Sequence, residues 1–170
     1  MESMEALELK PWWTYLGEDI QKLLQTSEFI YKAVESGNIN LPGNGERFND
    51  YSFVVFPAAK AYEGFLKKIF LDMGFITEDD YYGKRFRIGK SLNPSLPKEL
   101  KSESVYDKIV KYCGGHDLGD HLWETWRVCR NILFHWFPNE KNAITIEEAR
   151  ERVEMIIAAM DEAFEGCKIR

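Results

Sequence analysis

Arg130, Asn131 and His135 are the residues of this chain best suited to chemistry. They stand in the order Arg, amide, three apolar residues, His, within Arg130-Asn131-Ile132-Leu133-Phe134-His135. A guanidinium grips a phosphate through a two-pronged fork. An imidazole, with an ordinary pKa near ~6.5, moves protons at cellular pH. Together these groups suffice to cleave RNA without a metal. The spacing arises by chance in many chains, so its meaning rests on the elements that hold it.

The pair sits late on an aromatic-rich helix expected from about Asp120 to Phe137, which Pro138 brings to an end. At ~100° per residue, Leu122, Trp126, Cys129, Leu133 and Trp136 form one stripe expected to face the core, with Arg130 on its flank. Asn131 and His135, four apart, share another face. Trp123 and Val128 add apolar surface away from the stripe, so the helix needs a second contact surface. Self-association would supply one and would bring two Arg/His pairs together. The plainer alternatives are a His that caps its own helix end and an Arg that pairs with the acidic last helix.

Three more long helices are expected. The first covers about Tyr15 to Val34, followed by a connector at Gly37, Pro42, Gly43 and Gly45. The second runs from Asp50 or Ser52 to Met73, with Val55, Ala58, Tyr62, Phe65, Leu66, Ile69 and Met73 on its apolar side and Pro57 as a kink or a start. The last opens at Thr145-Ile146-Glu147-Glu148, where Thr145 and Glu148 form a capping box, and carries the core stripe Ile146 to Phe164. A short helix is expected over Ser104 to Tyr112, closed by Gly114-Gly115. The connector 74–102 has no long period and allows a short hairpin around Tyr81 to Ile88. Strand-like alternation is nearly absent. The expectation is a single all-α domain over 1–170, an antiparallel up-and-down bundle of four main helices, with 1–13 as an N-terminal arm.

On the second helix Lys60, Glu63 and Lys67 share a polar face bracketed by Phe56 and Phe70. Glu63 and Lys67 are spaced for an ordinary i,i+4 ion pair, worth a few tenths of a kcal/mol. The alternative is that Glu63 faces the third helix and orients Arg130 or His135.

Composition bounds these readings. At 170 residues, 45% of them hydrophobic, the chain can bury a substantial core and is not disordered. No apolar run approaches the ~20 residues of a membrane span, and the acidic start, Met1 to Lys10, predicts no signal peptide. Three cysteines, Cys113, Cys129 and Cys167, lack framework spacing, which predicts reduced thiols in a cytoplasmic protein. A net charge of -6 argues against coating nucleic acid by bulk electrostatics, and DNA is not an expected partner. The charge is uneven: Lys84, Arg85, Arg87, Lys90, Lys98 and Lys101 make the middle basic, and seven carboxylates load the last helix. Tyr81, Tyr82 and Phe86 interleave with those cations in a pattern suited to unpaired bases and phosphates, or to a loop packed on the bundle. Cys113, His116, His121 and Cys129 fit no compact zinc pattern, and no metal or cofactor is expected.

The order Arg130, Asn131, His135 resembles the motif of the HEPN superfamily of helical-bundle ribonucleases. Phe56-Pro57-Ala58-Ala59-Lys60-Ala61-Tyr62-Glu63-Gly64-Phe65-Leu66-Lys67 is similar to the Ala-x-Glu-Gly-(aromatic)-Leu-Lys helix of RNase LS-type toxins, which place a Glu before the Arg/His motif at a similar interval. The resemblance covers residues 50–165. It implies a metal-independent endoribonuclease toxin of a toxin–antitoxin or phage-defence system, a homodimer with a cognate antitoxin and an RNA substrate. Arg130 would grip the scissile phosphate, His135 would act as general base or acid, Glu63 would hold the pair and Asn131 would help to position it. Products would carry a 2′,3′-cyclic phosphate and a 5′-hydroxyl. Two departures stand out: RNase LS-type toxins are longer, with domains before this unit, and another branch carries a modifiable Tyr where this chain has Phe137. The rival reading is a non-catalytic HEPN-like bundle that binds a nucleotide or a protein partner.

Overall fold

A computed structural model describes residues 4–39, 48–138 and 142–167, and every regular element among them is helical. The connector positions Pro42, Gly43 and Gly45 lie outside the described residues. The elements are α1 (Met4–Glu8), α2 (Glu18–Glu35), α3 (Ser52–Asp72), α4 (Glu78–Tyr82), α5 (Ile88–Ser91), a 3-10 helix (Lys98–Glu103), α6 (Val105–Cys113), α7 (Asp117–Trp126), a π-helical segment (Arg127–Ile132) and α8 (Ile146–Gly166). No helix among the described residues is long and apolar enough to cross a membrane.

The centre is α3. Of its expected apolar side, Val55, Ala58, Tyr62, Phe65, Leu66 and Ile69 are fully buried, and Met73, just past the helix end, is partly buried. Val54, Ala59, Ala61 and Phe70 are buried as well, so the burial extends beyond one stripe, as it must for a helix with neighbours on several sides. Phe70, read from sequence as a bracket of the polar face, belongs to this core; Phe56 at the other end stays exposed. Pro57 lies inside the helix. Helices α2 and α8 pack on α3, and α7 packs on α8. Two buried hydroxyls pin these contacts. Ser27 donates to the Val54 carbonyl at 2.6 Å, and Tyr62 donates to the Leu122 carbonyl at 3.2 Å.

Local signals set the ends. The Thr145 hydroxyl accepts from the Glu148 amide at 3.1 Å while Glu148 accepts from the Thr145 amide at 2.7 Å, the expected capping box. Gly114, at φ 72°, closes α6 in the left-handed conformation that side chains disfavour. Asp50 joins the two long halves: its carboxylate accepts from the Ser52 and Ile144 amides at 3.0 and 3.2 Å. Tyr51 returns a backbone bond to the Ile144 carbonyl at 3.0 Å.

The N-terminal arm packs on the core: Trp12 is fully buried, its indole N–H donates to Asp161 at 2.6 Å, and Lys10 pairs with the same carboxylate at 2.8 Å. Two sequence expectations are corrected. The connector 74–102 forms no hairpin. It folds into α4, α5 and the 3-10 helix, with Thr77 and Asp80 making a second capping box at the start of α4. The third long helix starts at Asp117 and ends at Ile132, well before Pro138.

Phe65 is fully buried, its ring edge-on to Trp12 at 6.4 Å and Tyr15 at 6.5 Å. Phe65→Ala is therefore expected to destabilise the fold by about 3–5 kcal/mol, measured by urea unfolding. All three thiols are free, but burial pushes Cys129 up to about 12 and Cys167 up to about 11. Iodoacetamide at pH 8 is expected to label only exposed Cys113 in the folded protein; labelling of Cys129 before denaturation would contradict this burial.

Candidate functional site

The segment that carries the Arg/His motif departs from α-helical geometry. Arg127–Ile132 forms a π-helical segment that continues α7. Such wide turns are uncommon and frequently mark functional sites. The stripe expected on this element is buried at Leu122, Trp126, Cys129 and Leu133, but Trp136 is 83% exposed. The reason is positional: regular structure has ended by residue 133, so Trp136 no longer inherits the helix's facing.

Arg130 is half-buried between two aromatic side chains of its own segment. Its guanidinium carbon lies 5.9 Å from the Trp126 ring centroid and 5.6 Å from that of Phe134. Both distances fall within the ~6 Å range of cation–π attraction. Spacings of four on either side of Arg130 bring this about. An α-helix drifts by about 40° over four residues, and the wider π turn removes part of that drift. Nε of Arg130 is buried and has no hydrogen-bond partner. Among the described residues no carboxylate pairs with the guanidinium, and its terminal nitrogens make no hydrogen bond. The alternative that Arg130 simply bridges to the acidic α8 is thus not realised. A buried N–H without an acceptor costs about 1–3 kcal/mol, which Arg130 Nε bears within the chain.

His135 is exposed and anchored through its own backbone. Its amide donates to the Ile132 carbonyl at 3.2 Å, and its carbonyl accepts from the Asn142 side chain at 2.7 Å. The same Asn142 amide reaches the Ile132 carbonyl at 3.4 Å. In the ring, Nδ1 meets the Asn131 carbonyl and the imidazole stacks on Phe137, centroids 6.2 Å apart. A carbonyl only accepts, so Nδ1 carries the proton in this contact, and in the neutral ring Nε2 is then the lone-pair nitrogen. An imidazole in that tautomer is set up to take a proton at Nε2.

The other two residues of the motif set lie nearby on different terms. Asn131 is exposed, and its side chain makes no hydrogen bond among the described residues; its contribution to His135 is the backbone carbonyl. Glu63 is half-buried on α3 and makes no ion pair or hydrogen bond to Arg130, His135 or Lys67 there. Lys67 instead extends over the Phe86 ring, 6.0 Å from its centroid. Helix α3 reaches the motif through Phe56, whose ring meets Phe134 edge-on at 5.4 Å, with Lys60 above it at 5.9 Å. Within one chain the structure thus gathers Arg130, Trp126, Phe134 and Phe56. It leaves Glu63, two turns from Phe56 along α3, without a bond to this group, and it joins Arg130 to His135 by no hydrogen bond, ion pair or ring contact among the described residues.

Residues of the metal reading take separate partners. His116 Nδ1 meets the Tyr106 hydroxyl at 3.0 Å, His121 meets Glu162, and the Cys129 thiol donates to the Arg152 carbonyl at 3.5 Å. No group of three or more His, Cys, Asp or Glu among the described residues is arranged to hold a metal ion.

Sequence reasoning missed Trp126, Phe134 and Asn142. For the two aromatics the signal was present, one four residues before and one four after the Arg. For Asn142, seven residues past the His and beyond a proline, sequence carries no such signal. Comparison with protein-family models, curated proteins and solved structures found no match, so the site is judged on its own geometry.

Asn142→Ala removes both bonds that fix the end of the π segment. It is expected to cost about 1 kcal/mol and to speed hydrogen exchange at the His135 amide while amides of α3 keep their protection. Equal loss of protection in both places would instead mark Asn142 as a global stability residue.

Proposed function

We propose that this chain is a metal-independent endoribonuclease acting as the toxin of a toxin–antitoxin or phage-defence system. The observation that carries the reading is Arg130: half-buried, flanked by two rings, its Nε unpaired, with no acidic partner among the described residues. A phosphodiester supplies the missing charge and the missing acceptors. The bundle that presents it is, on this reading, an antiparallel four-helix arrangement of the HEPN kind.

In the reaction, His135 Nε2 takes the proton of a ribose 2′-hydroxyl, and the freed oxygen attacks the adjacent phosphorus. The bond from phosphorus to the 5′-oxygen breaks, and that oxygen leaves as a 5′-hydroxyl with a proton given by the imidazolium, which restores the neutral ring. The other product ends in a 2′,3′-cyclic phosphate. Arg130 holds the phosphate oxygens and stabilises the charge that builds on them. Asn131 assists through its carbonyl on Nδ1, and Glu63, on the same open edge of α3 as Phe56, modulates the pair as a positioning residue. The protein works as a homodimer, in which a second copy brings its own Arg130 and His135 to the same cleft. Trp136, Phe137 and Phe56, exposed large aromatics near the motif, supply apolar surface for that joint. A cognate antitoxin keeps the enzyme silent in the cell.

The second reading is a non-catalytic bundle that binds a nucleotide or a protein partner. One observation favours it: no contact joins Arg130 to His135 within a chain. Binding tolerates loss of His135, whereas cleavage does not.

Induced expression of wild type is expected to arrest growth, and the purified protein to cut RNA with chelator present. Arg130→Ala and His135→Ala should each lower cleavage by about 10²-fold or more. Glu63→Ala should slow it less, with helicity unchanged. Cleavage that survives in His135→Ala would overturn the assigned mechanism, and inert wild type beside intact RNA binding would favour the second reading.

A further inference from the structure

Neither Arg130 nor His135 lines a basic cleft elsewhere among the described residues. That cleft, of about 410 Å³, lies where the end of α3, α4, the 84–87 turn, α5 and α6 converge. Arg85, Arg87, Lys90 and Lys108 face it, against two carboxylates, Asp80 and Glu103. Both carboxylates are already engaged. Asp80 is held in the Thr77 capping box, whose hydrogen bonds lower its pKa, and Glu103 pairs with Lys90 at 2.7 Å. Lys108 lies close enough to Asp80 to help hold that carboxyl below its usual range, whereas Arg85 and Arg87 have no carboxylate partner among the described residues. Arg87 donates to the Lys84 and Phe86 carbonyls, and Lys108 donates to the Phe75 carbonyl at 2.6 Å. Those bonds aim the cations without neutralising them. Arg85 has no ion pair or hydrogen bond among the described residues. In a chain of net charge -6, such a local excess is a focused positive site.

The walls are as telling as the charges. Phe86 and Phe75 are half-buried rings lining the same cleft, and a ring beside a cation suits a base beside its phosphate. The cleft is also tied to the Arg/His segment. Gly89, inside α5, lies so close to Trp126 that a Cβ there would stand 2.6 Å from the indole nitrogen. That indole is the ring over which Arg130 lies. Lys67, one turn beyond Glu63 on α3, reaches Phe86 from the other side. The packing of α5 on the buried Trp126 indole and the reach of Lys67 to Phe86 thus couple the cleft to the elements that carry Arg130 and Glu63.

We propose that this cleft is a nucleotide subsite, taking a phosphate on Arg85, Arg87 and Lys108 and a base against Phe86. Its natural occupant is a nucleotide of the RNA strand away from the cut bond, a choice of source that rests on the ribonuclease reading. A free mononucleotide has the same chemistry. The subsite adds strand affinity and length dependence to a centre that otherwise grips one phosphate.

Binding of a fluorescent oligoadenylate, and of AMP by calorimetry, tests this in the His135→Ala protein, where no strand is cut. Arg85→Glu/Arg87→Glu should weaken the oligoadenylate by about tenfold or more. It should also lower the slope of log affinity against log salt by about 0.7 for each phosphate that the variant no longer neutralises. Phe86→Leu, which keeps the charges, should weaken binding roughly fivefold and leave that slope unchanged. Oligoadenylate binding alone identifies the strand as the source; AMP binding that disappears in the charge-reversed variant identifies a free nucleotide, and either supports the site. Unchanged affinity for both probes in both folded variants would overturn it. Cutting by wild type tells the two proposals apart. Active enzyme with unchanged cleft variants removes the subsite only, whereas inert enzyme with cleft-dependent binding removes the ribonuclease reading only.

Discussion

The burial of α3 constrains everything else in this protein. A helix with Val54, Val55, Ala58, Tyr62, Phe65, Leu66 and Ile69 all removed from water must be surrounded, and α2 and α8 cover it. What stays open is an edge: Phe56, Lys60, Glu63 and Lys67, at spacings of three and four. Chemistry on this bundle has to be built where that edge meets another element, because the rest of α3 is filled. The Phe56–Phe134 ring contact marks one such meeting and the Lys67–Phe86 contact another. Both are aromatic groups beside cations, and both lie at the margin of the core.

Burial alone does not explain Arg130. Charged groups taken from water are normally paired, since the loss of hydration is offset only by a partner. Even the more exposed arginines nearby are paired: Arg127 makes two bonds to Glu124, at 2.8 and 2.6 Å, and holds that carboxyl below its usual range. Arg150 does the same with Glu154 at 2.9 Å. With so many carboxylates in this chain, an arginine with only rings for company has been kept from them by position. The two rings lower the cost of partial burial and hold the fork in one orientation, which is the pre-organisation a phosphate site needs. A salt bridge in the same place would have to be broken before any ligand could bind.

Sequence disclosed the long elements well, for a physical reason. The periods on α2, α3 and α8 extend over many turns, and the Thr145 and Glu148 pair states where α8 begins. Short elements have too few turns to show a period, so α4 and α5 were unreadable as helices. Even there Thr77 and Asp80, three apart, carried a capping signal. The π segment was beyond reach, because its extra residue per turn changes hydrogen bonding and not composition. That single insertion explains the misplaced Trp136 and the early helix end. Candidate residues fared similarly: Arg130 and His135 were legible as types and spacing, whereas their supports, Asn142 and the ring pair, depend on how the turn closes.

The missing contact between Arg130 and His135 is the strongest argument about how the site would have to be assembled. Proton transfer needs heavy atoms within about 3 Å, or one water, of the group they serve. In one chain the guanidinium is turned in between Trp126 and Phe134, while the imidazole is turned onto Phe137 with Nδ1 committed to the Asn131 carbonyl. Swinging His135 toward Arg130 would break that contact and unstack the ring. A two-fold joint avoids this cost, because it presents one copy's imidazole to the other copy's guanidinium with both held as they are. Exposed Trp136 directly beside His135 gives such a joint apolar area where polar side chains alone would leave water. Association and catalysis would then be one event, and an antitoxin that covered this aromatic edge would silence the enzyme without touching either catalytic group.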